Sequence, residues 1–462
     1  MDVSRLDGKK ISVIGAARSG VGVSRLLRQS GANVFVSDSG DAAKLGKNII
    51  ELQKEEIEFE TGRHSERVFE SSLIVLSPGV PSDTPVILEA KKRSINVFSE
   101  LEVASWFCRA PIVAITGSNG KTTTTTLAGR IFSDAKKKHV VAGNIGEAFS
   151  NFVLDVAETD IVVLEVSSFQ LDFIESFRPA VSVLLNITRN HMDRYGNSME
   201  RYAASKARIF MNQRPDDILI YNADDELTQL KVQSAKCKML PFSTAREIHN
   251  GAFVRHGMLT TMLDGRETGI IDVPQISIKG EHNLQNAMAA TLVGQSMGVS
   301  PAYIRSTLKN FKGVEHRQEF VREFNGIKYV NDSKATTVEA VARALGAYAE
   351  PIVLILGGKD KGNDYTQILD TVTTKVRAIV AIGASAATVV KNFSGLVPIE
   401  RVDTIGSEIP NIASMKKTVD AARSLARQGD LVLLSPACTS FDWFTDFEER
   451  GKVFKAIVNS LE

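Results

Sequence analysis

Only three cysteines, Cys108, Cys237 and Cys438, occur in 462 residues, widely separated and without a partner at metal-ligand spacing. So small and odd a set excludes a disulfide framework and a cysteine-built zinc site, and fits a reducing compartment. An excess of charge of one sign is missing too. The 55 Lys and Arg residues stand against 54 Asp and Glu, a formal net charge of +1, which argues against a nucleic-acid footprint or a polybasic membrane surface and for small-molecule partners. No apolar run is long enough to cross a bilayer, and the opening Met1-Asp2-Val3-Ser4-Arg5 lacks a signal-type apolar core. A soluble, cytoplasmic chain is expected, and at this length it should fold as two or three domains.

What is present is most informative at Gly117-Ser118-Asn119-Gly120-Lys121-Thr122, directly after the apolar run Ile112-Val113-Ala114-Ile115-Thr116. A buried strand that breaks into a glycine turn, with a lysine and a hydroxyl at the start of the next helix, offers bare backbone amides to nucleotide phosphates. Two residues rather than four separate the glycines, a subtype of the general phosphate loop. Thr122 to Thr126 are five successive threonines, mediocre helix formers whose start a bound phosphate would help offset. ATP is the expected nucleotide.

The chain reads as three α/β segments. The first has a strand at Ile11–Ile14, a turn from Gly15 to Gly20, a helix around Val23 to Gln29 and a strand Val34–Val36 ending on Asp38. This βαβ unit places an acidic residue where a dinucleotide fold puts its ribose ligand, but Gly15-Ala16-Ala17-Arg18-Ser19-Gly20 lacks the central glycine of that fingerprint. The run Leu73–Leu76 ends in Ser77-Pro78-Gly79, either a second phosphate contact or a plain turn.

In the second segment, from about Pro111, the strand Ile161–Leu164 delivers Glu165 to the edge where open α/β sheets bind ligands, and a carboxylate beside a phosphate loop suits magnesium. Beyond the strand Val181–Asn186 lies a loop with His191. The stripe from Met199 to Met211 reads as a helix that carries Lys206 among apolar residues, either snorkelling or buried for chemistry. Turns such as Asp264-Gly265 hint at hairpins, and Asn283 and Asn286 lie one turn apart on a helix, as caps or as purine contacts.

The third segment follows Phe311–Arg317. Its strands Ile352–Leu356, Ala378–Ile382 and Leu431–Leu434 each end in small, polar or charged residues, the look of a binding face. Cys438 reads as a small packed residue.

In this order the phosphate loop, Glu165-Val166-Ser167-Ser168-Phe169-Gln170-Leu171, the His191 loop, the Lys206 helix, His282-Asn283-x-x-Asn286, His316-Arg317 and Asn331-Asp332-Ser333-Lys334-Ala335-Thr336 resemble the Mur ligases over essentially the whole chain. These are the ATP-dependent enzymes that build the peptide of bacterial peptidoglycan. Within that family, Leu433 to Asp442 is similar to the members that add D-glutamate, and the Asp-Asn-Pro-Arg run of the diamino-acid ligases is absent.

The resemblance implies an α/β fold in three domains: 1–105, Rossmann-like, for UDP; 106–313, a P-loop ATPase-like parallel sheet; and 314–462, Rossmann-like, for the amino acid. It implies the substrates UDP-N-acetylmuramoyl-L-alanine and D-glutamate and an acyl-phosphate intermediate; a monomer is expected. Lys121, Glu165, His191 and Lys206 are the implied catalytic residues. ATP falls to Gly117, Ser118, Asn119, Gly120, Lys121, Thr122, Thr123, Asn283, Asn286, Arg317 and Asp332, and the UDP substrate to Arg18, Ser19, Asp38, Ser77, Asn144 and Ser167. D-glutamate falls to Lys334, Thr336, Lys361, Ser440 and Phe447, with Lys359 the alternative to Lys361. Two magnesium ions are implied on Thr122, Glu165, His191 and a carbamylated Lys206, carbamylation turning an ammonium into an anionic oxygen ligand. Asn190 stands where the family often has aspartate. The remaining readings are another amide ligase of this fold, such as a folylpolyglutamate synthase, and a noncatalytic nucleotide binder.

Overall fold

The computed structural model describes residues 6–144, 146–190, 192–360 and 362–462. The chain divides into two compact units, Met1–Phe311 and Lys312–Glu462. The first contains two sheets. Strands β1 (Lys10–Ile14), β2 (Asn33–Asp38), β3 (Glu58–Thr61), β4 (Leu73–Leu76) and β5 (Asn96–Ser99) are all parallel in the order β3-β2-β1-β4-β5. The order turns back between β1 and its two neighbours, so the β1 turn opens at the switch point of the sheet. The helix after β1 starts at Arg18, earlier than the expected turn to Gly20 allows. Gly20 is already helical there and packs against the Gly15 carbonyl, where a side chain would not fit.

The second sheet is built from β6 (Ile112–Thr116), β7 (His139–Gly143), β8 (Ile161–Glu165), β9 (Val181–Leu184), β10 (Ile218–Asn222), β11 (Lys238–Phe242), β12 (Gly251–Arg255), β13 (Met258–Leu263) and β14 (Arg266–Asp272). Its order is β14-β13-β12-β11-β10-β9-β6-β8-β7. It is parallel from β7 to the β11–β12 contact, and β12 to β14 form an antiparallel meander. Asp264 and Gly265, both at positive φ (49° and 78°), close its last hairpin, the backbone a primed two-residue turn requires. Because β6 lies between β8 and β9, the ends of those two strands flank the phosphate loop.

The two sheets share a core: Leu26, Leu101 and Ala104 pack in one buried cluster with Ile112, Ala114, Leu164 and Phe177. Across the same junction Ser99 N donates to Phe173 O (2.8 Å) and Ser150 N to Glu100 Oε1 (2.7 Å).

The second unit holds one sheet, β15 (Glu319–Phe324), β16 (Ile327–Asn331), β17 (Ile352–Gly357), β18 (Val376–Ile382), β19 (Ile399–Val402) and β20 (Leu431–Leu434), in the order β15-β16-β20-β17-β18-β19. Only the edge strand β15 runs antiparallel. Both faces are covered, which is why the central strands β17 and β20 are buried at every position and read as unbroken apolar runs.

Candidate active site

From Thr116 the chain turns through Gly117 to Gly120 into the helix Lys121–Asp134. Gly120, at φ 82°, is left-handed, and a Cβ there would collide with Asn286 Oδ1, so the position requires glycine twice over. The helix start has no side-chain cap and no acidic residue in its first turn, leaving its amides and dipole suited to an anion. Thr122 and Thr123 are buried just inside it.

The loop is braced before any ligand arrives. Ser118 N donates to Asn186 O and Asn119 N to Asn186 Oδ1, each at 2.9 Å, while Asn186 Nδ2 donates back to Asn119 O (3.2 Å). Ser118 Oγ accepts from Thr188 N (2.9 Å) and lies 3.1 Å from Tyr202 Oη. Asn286, buried, accepts from Thr124 Oγ1 (3.2 Å) and donates to Asn283 Oδ1 (3.2 Å), while Asn283 Nδ2 donates to Lys279 O (2.8 Å). Neither asparagine caps its helix, which starts at Glu281 without a side-chain cap.

Two lysines converge on one carbonyl. Lys121 Nζ donates to Gly117 O (2.9 Å) and Ser118 O (3.1 Å), and Lys206 Nζ donates to the same Gly117 O (2.8 Å). Lys206 is 1% exposed and stands 4.7 Å from the centre of the Tyr202 ring. Burial first, then the neighbouring Lys121 ammonium, hold its pKa well below the ordinary lysine value, against the opposing pull of Glu165 and Asp172.

Glu165, 3% exposed at the end of β8, accepts from Asn144 Nδ2 at Oε1 (3.0 Å), and Asn144 N donates to the Glu165 carbonyl (2.8 Å). Its other oxygen, Oε2, is buried with no hydrogen-bond partner among the described residues. An unpaired buried carboxylate oxygen costs on the order of 1–3 kcal/mol or more, a cost a cation removes. A hard oxygen donor beside a phosphate loop fits magnesium, which takes its remaining ligands from phosphate and water. His191 lies outside the described residues. Ser167 spends its hydroxyl locally, accepting from Gln170 N (3.3 Å) in a capping box.

At the edge of the first sheet, Gly15 (φ 96°) faces Ser77, whose Oγ donates to Gly15 O (2.9 Å). The Asp38 carboxylate ties this turn to the end of β2 by accepting from Ala16 N (2.7 Å) and Gly40 N (2.6 Å). Arg18 is exposed and Ser19 half-buried at the helix start beside it.

In the second unit, Asp332 directly follows β16, 4% exposed, and accepts from Ser435 Oγ (2.9 Å) and Gln318 N (3.2 Å). Burial pushes its pKa up to about 7, against the pull of Ser435 and Arg317. A carboxyl whose folded pKa lies above its unfolded value binds the extra proton in the folded state, so its contribution to stability is lost as pH rises from about 4 to about 7. The expected outcome is that Asp332→Asn melts above the parent chain at pH 8, the gap closing towards pH 4 in thermal scans; a pH-independent gap would contradict the shift. Lys334 Nζ lies 5.5 Å from the centre of the Phe447 ring, and the His316 ring meets Phe447 edge-on at 6.3 Å. Thr336 N donates to Lys334 O (2.9 Å), and Ser440 is buried. Lys361 lies outside the described residues, and Lys359 pairs through its backbone with Thr439. Cys438 is a packed thiol whose pKa burial pushes up.

Sequence reasoning missed three supports of these residues, two in the first unit and one in the second. Asn186 is the latch of the phosphate loop, and its only signal was to end an apolar run beside β6. Tyr195, Ser205 and Asp172 clamp the Lys206 helix: Tyr195 Oη donates to Asp172 Oδ2 (2.9 Å) and lies 3.2 Å from Ser205 Oγ, which donates to Ser168 O (2.9 Å). Arg450, 1% exposed, donates to Ser333 Oγ (2.9 Å), Ser333 O (2.7 Å) and Cys438 O (3.1 Å), joining the two loops read for D-glutamate.

The family profile of a Mur ligase MurD-like N-terminal domain matches residues 9–99, that of the Mur ligase middle domain 115–294, and that of the Mur ligase glutamate ligase domain 316–438. A UDP-N-acetylmuramoylalanine–D-glutamate ligase of Chloroherpeton thalassium is 42% identical over 100% of both chains, and one of Salinibacter ruber is 42% identical over 98% of both. Among solved structures, the UDP-N-acetylmuramate–alanine ligase MurC of Thermotoga maritima superposes with a TM-score of 0.58 at 18% identity, over 98% of this chain and 99% of that one. FolC of E. coli, in complex with DHPP and ADP, gives 0.56 at 17% identity, over 78% and 92%. At such low identity these two likenesses speak to the fold alone, whereas the end-to-end identity to the ligases and the succession of three family domains go further: this chain belongs to the Mur ligase family.

Proposed function

We propose that this chain joins D-glutamate to UDP-N-acetylmuramoyl-L-alanine with hydrolysis of ATP to ADP and phosphate, a cytoplasmic step of peptidoglycan synthesis. The observation that carries the reading is similarity over the full length to relatives named for that reaction, 41–43% identical in several cases.

The chemistry asks a carboxylate to meet a triphosphate, anion against anion, and its barrier falls when fixed positive charge neutralises both and holds them in line. Lys121 and the uncapped helix start supply such charge at the phosphate loop. An oxygen of the alanyl carboxylate attacks the γ-phosphorus and ADP leaves; the neutral amine of D-glutamate then attacks the acyl carbon, and phosphate departs with that oxygen. Glu165 and Thr122 would hold a magnesium ion, with a second on His191 and Lys206; bound there, magnesium would offset phosphate charge. The low pKa of Lys206 supports its carbamylation, since only a neutral amine adds carbon dioxide. Residues 1–105 are assigned to the UDP moiety through Arg18, Ser19, Asp38, Ser77, Asn144 and Ser167, the last two from the neighbouring 106–313. Residues 314–462 are assigned to D-glutamate through Lys334, Thr336, Lys361, Ser440 and Phe447, and to ATP through Arg317 and Asp332.

ADP release with UDP-N-acetylmuramoyl-L-alanine and a panel of amino acids is expected to depend on D-glutamate; dependence on L-alanine or a diamino acid would overturn the assignment. With the alanyl carboxylate labelled with ¹⁸O, one labelled oxygen per turnover should reach inorganic phosphate, and its absence there would exclude the acyl phosphate.

A further inference from the structure

A cleft of about 890 Å³ opens in the first unit between β5, the edge strand of its sheet, and the segment that leads into the Lys206 helix. The volume lies in the range of pockets that enclose small organic ligands. No residue read above for ATP, magnesium or the UDP substrate lines it.

Its chemistry is two-sided. Leu88, Ile95, Val97 and Phe173 give it an apolar wall, and Leu88 is 47% exposed, an uncovered leucine at the mouth. Lys91, Arg194 and Arg201 bring three positive charges against Asp83 and Asp172. One Asp172 oxygen already accepts from Tyr195. Arg194 is held in place, its guanidinium 4.3 Å from the centre of the Phe169 ring and its Nη2 donating to Gly79 O (3.0 Å). None of the three cations forms an ion pair among the described residues, whereas nearby Arg178 and Lys231 each have a carboxylate partner. Unpaired cations around an apolar wall suit an anion with an apolar body.

The cleft also touches the catalytic machinery from behind. Asp172 and Tyr195 line it, and the same pair grips Ser205, next to Lys206. An anion that draws on Arg194 therefore pulls on its neighbour Tyr195, part of the clamp that sets the Lys206 amine against the phosphate loop.

We propose that this cleft is a second ligand site, for a small organic anion with an apolar body and a carboxylate or phosphate head, and that its occupancy acts on the Lys206 helix through Asp172, Tyr195 and Ser205. Phenyl phosphate and benzoate serve as probes and benzyl alcohol as the uncharged control, on the full chain saturated with magnesium and a non-hydrolysable ATP analogue for binding, and turning over for kinetics. The expected result is binding of the anions but not of benzyl alcohol, with a change in kcat of at least about twofold that UDP-N-acetylmuramoyl-L-alanine does not compete away. The double variant Lys91→Ala/Arg201→Ala should keep its basal kcat within about twofold and bind the anions at least tenfold more weakly. Equal binding by the double variant, competition with the UDP substrate, or binding that leaves kcat unchanged would each overturn the proposal. The ligase reading is tested separately, by the amino-acid panel without any probe.

Discussion

Replacing Lys206 by alanine is expected to lower ligation by about a thousandfold or more, the scale seen when a group that stabilises transition-state charge is removed. The chain should keep its fold in this variant, because among the described residues the amine makes one hydrogen bond, to Gly117 O, which Lys121 also holds. Small additives then distinguish what the amine becomes. If it works as a carbamate, an anionic oxygen ligand, formate or acetate should restore part of the rate, whereas if it works as a cation, methylamine should do so. Undiminished turnover in the alanine variant would remove Lys206 from the mechanism altogether. The depressed pKa makes the first outcome the expected one, since a neutral amine supplies little charge of its own but is the form that reacts with carbon dioxide.

The second large effect is on stability. Glu102, fully buried, accepts at Oε1 from Trp106 Nε1 (2.8 Å), Ser176 N (2.8 Å) and Ser176 Oγ, and at Oε2 from Glu175 N (3.0 Å) and Phe177 N (2.8 Å). One carboxylate thereby satisfies three successive backbone amides across the junction of the first two sheets. Glu102→Ala leaves those donors without their acceptor and should destabilise the first unit by about 3–5 kcal/mol, the cost of breaking a buried carboxylate network from one side. Urea unfolding followed by fluorescence, with Trp443 replaced by phenylalanine so that Trp106 reports on this unit, measures the loss. A change below about 1 kcal/mol would mean that the junction repacks or hydrates freely. Glu102→Gln should fall between the two, since its carbonyl still accepts while its amide group faces donors.

Much of the fold was legible because strands buried on both faces write themselves as apolar runs: Ile112–Thr116, Leu73–Leu76 and Leu431–Leu434 are strands with the expected bounds. The stretch from Lys236 to Ile278 was opaque because β12 to β14 are each buried over only two or three successive positions and otherwise partly exposed, so neither alternation nor a continuous apolar run stands out. At the site, the phosphate loop was legible from local chemistry, a glycine before a lysine at a strand end. Its supports were not. Asn186 lies beside the loop because β9 neighbours β6, and Asn286, legible as a nucleotide contact but not as a brace, reaches the loop from a helix more than 160 residues away in sequence; at the sheet junction, likewise, Glu102 finds its amides more than 70 residues on.

By itself, then, the order of residues determined the α/β class, the buried central strands of each sheet, the phosphate-binding turn and the kinship with the Mur ligases, all of which depend on local pattern or on the succession of motifs. The tertiary structure alone decided that Lys206 and Lys121 share one carbonyl, that Glu165 carries an oxygen without a partner among the described residues, and that a charged cleft lies behind the Lys206 helix. Burial and unpaired charge depend on what packs around a side chain, and sheet order, not sequence spacing, determines that.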